Sequence, residues 1–431
     1  MFRRKACLGL AVSSVLFGVG MARAEDAKSG VSLDKPIYLA DTSRKPLMAA
    51  LDKAGAASTL DSEGINITGF VDMGWTYNFD TPNNHTNNGR VFDFEDQDKN
   101  FNQADIQISR AVDASKHHFD LGFNIEMMYG SDARLIHSKG LNFYGPEWAG
   151  NSAADTPSHP GTIDTDFDEE FDLTQANLVM ALPFGNGLTV TAGKFVTLLG
   201  YEYINPTLNP FYSRSFLFGF AIPFTHTGIT GKYQINDQWT ATLGAVRGWE
   251  TSSDDNNGSP SGIGQVTYAA TDKLSFAVTG ICGPEQASDT GHYRTVIDVV
   301  GIYKLGDNTT IGANIDYGYG SRQGNDVGFD GKPGTGDWWG AAVYVSQKID
   351  PHFTFNVRGE YFNDDDGCRG LDTTVYELTA GLAITPMPDN AWASGFVFRP
   401  EIRWDHANNE IFNDAGDRNQ FTVGGDIIFA F

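Results

Sequence analysis

From Gly64 onward, apolar and polar residues alternate. Ile65, Ile67, Val71, Met73, Trp75, Tyr77 and Phe79 interleave with Asn66, Thr68, Asp72, Gly74, Thr76 and Asn78. Leu121, Phe123, Ile125, Met127 and Tyr129 do so with Asp120, Gly122, Asn124 and Glu126. Phe353, Phe355, Val357 and Tyr361 interleave with Thr354, Asn356, Arg358 and Glu360; Phe396, Phe398, Ile402 and Trp404 do so with Val397, Arg399, Glu401 and Arg403. A strand turns successive side chains to opposite faces, so each segment predicts a strand with one oily and one polar face. The chain ends FTVGGDIIFAF, with Phe421, Val423, Ile427, Phe429 and Phe431 on one face and Thr422, Gly424, Asp426 and Ala430 on the other.

About sixteen such segments follow one another, most having the roughly 9–11 residues a tilted membrane strand needs. The connections between them alternate in length. Short ones fall at 113–116, 183–187, 236–238, 271–273, 306–308, 350–351 and 386–390. Long ones fall at 80–101, 131–168, 198–223, 250–261, 282–291, 320–336, 363–372 and 406–418. Short turns on one side and long loops on the other are the parity of an even-stranded antiparallel barrel with both termini in the periplasm. A soluble sandwich has no reason to sort its loops this way. The fold class expected is an all-β transmembrane antiparallel barrel.

The N-terminus fits export. Arg3, Arg4 and Lys5 precede an apolar run from Ala6 to Gly20, and Ala22-Arg23-Ala24 is a small-residue cleavage site. Residues 1–24 therefore predict a signal peptide. Residues 25–63 lack alternation and predict a periplasmic segment with a short helix over 47–57; the barrel is expected over 64–431. Losing the four basic residues of the leader takes the formal charge from −24 to −28. So acidic a chain repels nucleic acid, and no nucleic-acid partner is expected. Cys282 and Cys368 remain after the cut, which is neither a disulfide framework nor a zinc spacing. An exported chain can oxidise such a pair, although nothing in the sequence brings the two together.

No G-x-S-x-G, H-E-x-x-H or P-loop is present, so no catalytic residue, metal or cofactor is assigned. His226, between Thr225 and Thr227, is the one candidate base for a barrel lipase. The acidic stretches VFDFEDQD, DTDFDEEFD, TSSDDNNGSP and NDDDG fall in long loops. They read as solvated loop, and none fits the calcium-loop pattern well.

Several stretches are similar to a known family. Gly193-Lys194-Phe195, Leu199-Gly200-Tyr201-Glu202, Tyr212-Ser213-Arg214-Ser215 and Pro223-Phe224-Thr225-His226-Thr227-Gly228 resemble the OmpL-like outer-membrane β-barrel porins, as do GFVDMGWTYNFDTP (69–82) and GWETSSDDNN (248–257). The resemblance covers most of 64–431. It implies an outer-membrane barrel and a pore, with no defined substrate or site. The last strand also resembles the C-terminal signal read by barrel-assembly machinery. The terminal Phe is kept, but Asp426 stands where that signal usually has a glycine.

Parity assigns a lumen. With apolar positions toward lipid, Asp72, Asp105, Glu126, Asp298, Asp316, Glu360, Glu377, Glu401 and Asp426 face inward, together with Arg294, Arg358, Arg399 and Arg403. Acids outnumber arginines, which predicts a mildly cation-preferring pore; cross-strand pairing of these charges is the structural alternative. Lys194 shares parity with lipid-facing Leu188, Val190 and Ala192, where a Lys costs roughly 2–4 kcal/mol. A bulge turning it inward is expected there. The loop 198–223 carries seven Phe and Tyr residues that cannot all stay in water. It can constrict the lumen, with Glu202, Arg214 and His226 as polar lining, sit at a subunit interface of a homo-oligomer, or lie along the membrane rim.

A barrel of about sixteen strands leaves an aqueous channel. The expected function is passive diffusion of small hydrophilic solutes across the outer membrane. Outer-membrane lipid, lipopolysaccharide and the assembly machinery are the expected partners. The rival expectation is a plugged, non-conducting barrel serving as a structural or adhesive surface protein.

Overall fold

The strongest constraint on the barrel is the alternation itself, because a strand with one oily face needs neighbours on both edges and lipid on one side. The structure, a computed structural model, describes residues 46–431 apart from 98, 117, 142–168, 287, 323–333 and 391. The predicted leader and residues 25–45 lie outside the described residues. Sixteen strands form one closed antiparallel barrel. They are β1 Ile65–Asn78, β2 Lys99–Arg110, β3 Asp120–Gly130, β4 Glu170–Leu182, β5 Leu188–Val196, β6 Thr225–Gln234, β7 Trp239–Val246 and β8 Ser261–Ala269, then β9 Leu274–Gln286, β10 Asp289–Leu305, β11 Thr309–Arg322, β12 Gly334–Lys348, β13 Phe353–Asn363, β14 Thr374–Ile384, β15 Phe396–Ala407 and β16 Asn419–Ala430. Each strand pairs with its sequence neighbours, and β1 closes the ring on β16 from Phe70↔Ala430 to Asn78↔Thr422.

Closure leaves no free edge, which hydrocarbon demands because it cannot hydrogen-bond an unpaired backbone. The last residue completes it. Gly69 donates its N–H to Phe431 O at 2.9 Å, and Phe431 returns the bond to Gly69 O at 2.8 Å. The Phe431 ring lies over Gly69, where a Cβ would sit 2.7 Å from the ring and 2.4 Å from Asp105 O.

The outer face confirms the side assignment. Leu243 is 72 % exposed, Met73 53 % and Ile315 52 %, whereas inward Asp72, Asp298 and Arg358 are 2 % exposed or less. Apolar surface on this scale is untenable in water and suits lipid. Aromatic pairs mark both ends: Trp339–Tyr361 (4.7 Å) and Tyr361–Tyr376 (5.3 Å) on the long-loop side, Trp239–Tyr268 (4.2 Å) on the short-turn side. These are the girdles expected at the two membrane interfaces.

Some local readings need correction. The helix expected over 47–57 is two, α1 Pro46–Lys53 and α2 Ala57–Glu63. Gly55, at φ +77°, breaks the run, and Gly64, at φ +69°, ends the second helix with its N–H on Asp61 O and Leu60 O, the glycine stop usual at helix C-termini. The long loop expected at 282–291 is a tight hairpin instead, since β9 runs on to Gln286 and β10 starts at Asp289. Pro284 signals a break in sequence. Here it pairs only with Tyr293, beyond the last β8 contact at Cys282, so its missing N–H falls on an open edge where proline is tolerated. Side-chain amides of Asn256 and Asn257 donate to Glu285 O and Pro284 O instead.

Gly69→Val should therefore weaken closure, by about 1–3 kcal/mol if the ring shifts to make room. The check is the heat-modifiable gel shift of refolded protein. Less folded, fast-migrating band at a given temperature is expected, and an unchanged melting profile would contradict this account of closure.

Candidate functional site

The loop between β5 and β6, residues 197–224, is the densest apolar stretch outside the strands, and it folds into the barrel. Leu199, Phe211, Phe216, Leu217, Ile222 and Phe224 join one buried cluster with wall residues Val296, Val300, Trp338, Tyr344 and Phe362. Tyr201 stacks on Tyr344 with ring centroids 4.2 Å apart, and Trp338 Nε1 donates to Ala221 O at 3.1 Å. Of the three places open to this loop in the sequence, it takes the lumen.

Such a loop has no strand partner, so its buried backbone groups need other partners. The wall supplies them. Glu401 on β15 accepts N–H bonds from Tyr212 (2.9 Å) and Ser213 (3.2 Å). Glu360 on β13 accepts those of Phe216 (2.7 Å) and Leu217 (2.6 Å). Arg399 Nη1 donates to Pro206 O (2.8 Å) and Asn209 O (2.6 Å), Arg403 Nη1 to Arg214 O (2.6 Å), and Arg358 Nη1 to Ser213 O (2.9 Å). Asn314 Oδ1 receives Tyr201 N–H at 3.0 Å.

These inward charges were expected to line an open pore. Arg358, Glu360, Arg399, Glu401 and Arg403 point inward, but the loop covers them and they act as its anchors. They are also paired among themselves and with their neighbours. Arg358 meets Glu202 at 2.8 Å and Glu377 at 3.0 Å, Arg403 meets Asp405 at 2.8 Å, and Arg399 pairs with Asp426. Removing one member of such a buried pair strands the other and typically costs about 3–5 kcal/mol.

The remaining candidates divide in the same way. Glu202 and Arg214 hold the loop to itself. Glu202 accepts Ser215 N–H at 2.8 Å, and Arg214 donates to Tyr212 O at 2.7 Å and Ile204 O at 3.1 Å. Asp298 and Asp316 face each other across β10 and β11, with Asn314 Nδ2 on Asp298 at 2.7 Å. Asp72 accepts Asn102 Nδ2 at 3.1 Å. Arg294 lies 5.1 Å from the centre of the Trp249 ring, near the outer mouth. His226 is sealed in, its Nε2 3.0 Å from Thr197 Oγ1 and its Nδ1 3.1 Å from Gly248 O; no carboxylate orients it as a base would require.

Lys194 turns inward. Its Nζ lies 3.1 Å from Asp172 Oδ2 and 2.8 Å from Leu173 O. The expected bulge is not on its strand, since Lys194 stands in continuous register with Ala176 on β4 and Thr227 on β6. The residue before it, Gly193, adopts φ +133°, where a Cβ would fall 2.2 Å from Ala176 O.

Parity missed the loop between β1 and β2. VFDFEDQD reads as acidic and solvated, yet Val91, Phe92, Asp93, Phe94 and Asp96 are all buried. Arg90 reaches Asp93 at 2.5 Å and Asp405 at 2.6 Å, and Phe92 packs 5.6 Å from the Phe218 ring. The signal is the alternation of Phe92 and Phe94 with Asp93 and Glu95. NDDDG hides another buried carboxylate, Asp364, which accepts the N–H groups of Arg369 (2.9 Å) and Leu371 (2.9 Å). Burial pushes this outer-loop carboxyl up to about 6, and that of Glu250 to about 7, so both titrate near neutral pH.

Beside the loop the lumen stays open. A cavity of about 550 Å³ runs between loop residues 197–205 and the wall from β2 to β10, down to Asp237 and Gln238 at a short turn. Among the described residues, its charged lining is Glu126, Glu202, Lys232 and Asp237. Glu126 accepts a bond from Gln175, and Glu202 is paired with Arg358.

Solved structures share this architecture. The outer membrane channel DcaP of Acinetobacter baumannii is similar over 85% of this chain and 97% of its own, with a TM-score of 0.54 and 12% identity. An anion-selective porin from Comamonas acidovorans matches over 85% and 99%, with a TM-score of 0.53 and 11% identity. OprB of Pseudomonas putida matches over 88% and 97%, with a TM-score of 0.52 and 12% identity. At these identities the likeness speaks for the fold. No curated protein matches the chain. The family model described as "Putative beta-barrel porin-2, OmpL-like" matches residues 64–431, and the chain belongs to that family of outer-membrane porin-like barrels.

Proposed function

We propose that this protein is an outer-membrane porin through which small hydrophilic solutes diffuse passively, with a mild preference for cations. The observation that supports it is the cavity beside the loop. Residues 197–224 are anchored chiefly by charged groups of β13–β15, with further bonds from Gln103 on β2, Gln265 on β8 and Thr279 on β9, and about 550 Å³ remains between residues 197–205 and β2–β10. The cation preference rests on fewer groups than the inward charges of the sequence. With the anchors covered and Glu202 sharing Arg358 with Glu377, Glu126 and Asp237 stand against Lys232 on the cavity wall. A single excess carboxylate gives a weak field. Export by a leader over 1–24, insertion through the terminal strand, and contact with lipid and lipopolysaccharide belong to the same reading.

A second reading has its own support. Two outer loops, 79–97 and 197–224, bury aromatic residues in the lumen, which favours a plugged surface barrel whose outer loops do the binding.

Single-channel recording of refolded protein in a planar bilayer separates the two. Stepwise conductance with a small cation-biased reversal potential is expected, and a silent, folded barrel would favour the plug. Glu360→Ala with Glu401→Ala removes four backbone acceptor contacts and should free the loop. Larger and noisier steps are expected, and wild-type steps from a folded variant would contradict the anchoring role. Arg358→Ala should cost about 3–5 kcal/mol of barrel stability, read as a fall in the temperature at which the folded gel band is lost.

A further inference from the structure

The solute follows from how the loop divides the lumen, granted the pore reading above. On one side, the wall charges of β13–β16 are sealed beneath it. On the other, the cavity wall carries amides and hydroxyls at Gln107, Gln175, Gln265, Thr240, Thr267 and Ser275. Gln107 and Gln265 each donate from the side-chain amide inside the protein. Gln107 Nε2 bonds Asn124 Oδ1 at 2.9 Å, and Gln265 Nε2 bonds Leu198 O at 2.9 Å and Thr279 Oγ1 at 3.0 Å. Their carbonyl oxygens, which accept no hydrogen bond from the described residues, are left for whatever occupies the cavity. Ser275 Oγ, on the same wall, is buried without a partner. Unmet acceptors in a confined space favour a solute rich in donors.

The loop side of this space is apolar, lined by Leu199, Ile204, Leu208, Phe218 and Phe224, and Val300 and Ile302 of β10 extend that surface onto the wall. A solute bridging the two sides needs hydroxyl groups on one edge and C–H surface on the other. It also needs little charge, because no concentrated field of one sign meets it and an ion loses hydration without full repayment. The volume lies within the roughly 300–1,000 Å³ typical of small-molecule sites.

We infer that the channel favours small, neutral, polyhydroxylated solutes of hexose size over charged solutes of the same size. The juxtaposition that carries this is an acceptor-lined wall from β2 and β8 facing the apolar flank of the loop.

The test is swelling of liposomes that hold the refolded protein, with glucose, gluconate and glucosamine as solutes of one size and three charges. Glucose should enter roughly tenfold faster than gluconate and several-fold faster than glucosamine, the scale of discrimination that unpaired polar contacts give. Gln107→Leu and, separately, Ser275→Ala should each lower glucose entry relative to KCl conductance in barrels that still show the folded gel shift. Equal rates for the three solutes, or variants that leave that ratio unmoved, would overturn the inference while the pore stands. A wild-type barrel that conducts no ions would remove the pore reading and this inference together.

Discussion

A backbone inside a membrane barrel has nowhere to leave its polar groups unpaired, and this constraint shapes both the wall and its contents. In the wall the strands satisfy one another, down to the reciprocal bonds between Gly69 and Phe431. The loop 197–224 has no such partner. Its aromatic side chains draw it into the lumen, but that burial requires its N–H and C=O groups to be met. Glu360, Glu401, Arg358, Arg399 and Arg403 meet them. The charged ladder inside β13–β15 is thus the loop's substitute for a neighbouring strand.

One consequence is that inward charge and accessible charge differ. A carboxylate on the lumen face sets ion selectivity only if ions can approach it. Glu401, holding two consecutive loop amides, is 6 % exposed, and Arg358, with three polar partners on the loop, is fully buried. The field felt by a solute is set instead by the few groups on the opposite wall. The same division makes the lumen asymmetric, with the loop-anchoring charges on β13–β15 and the cavity along β2–β10.

Period-two alternation and loop length made the barrel legible. They gave all sixteen strands, because each strand has to satisfy lipid on one face, and that demand is written locally. Parity also gave the inward direction of Asp72, Asp298 and Arg358. It failed where the backbone departs from regular pleating. Lys194 follows a glycine in a left-handed conformation, and Pro284 sits on an edge that only the fold reveals. What covers an inward residue was not legible, since it depends on contacts some 150 residues apart, such as Glu360 with Phe216. The acidic stretch 91–96 misled for a related reason. Asp93 and Asp96 find buried partners, Arg90 and the backbone N–H of Asn78, that no local pattern announces.

The account's central claim is the asymmetric lumen, and thiol accessibility tests it most directly. With Cys282 and Cys368 replaced by Ser, a single cysteine is placed at Thr267 on the open wall or at Thr379 beneath the loop, and reaction with a small water-soluble maleimide is timed in the folded barrel. The account predicts rapid labelling at 267 and protection at 379 until the barrel is unfolded. Equal labelling at both positions would mean that the loop does not lie against β13–β16, and the anchoring scheme would fall with it.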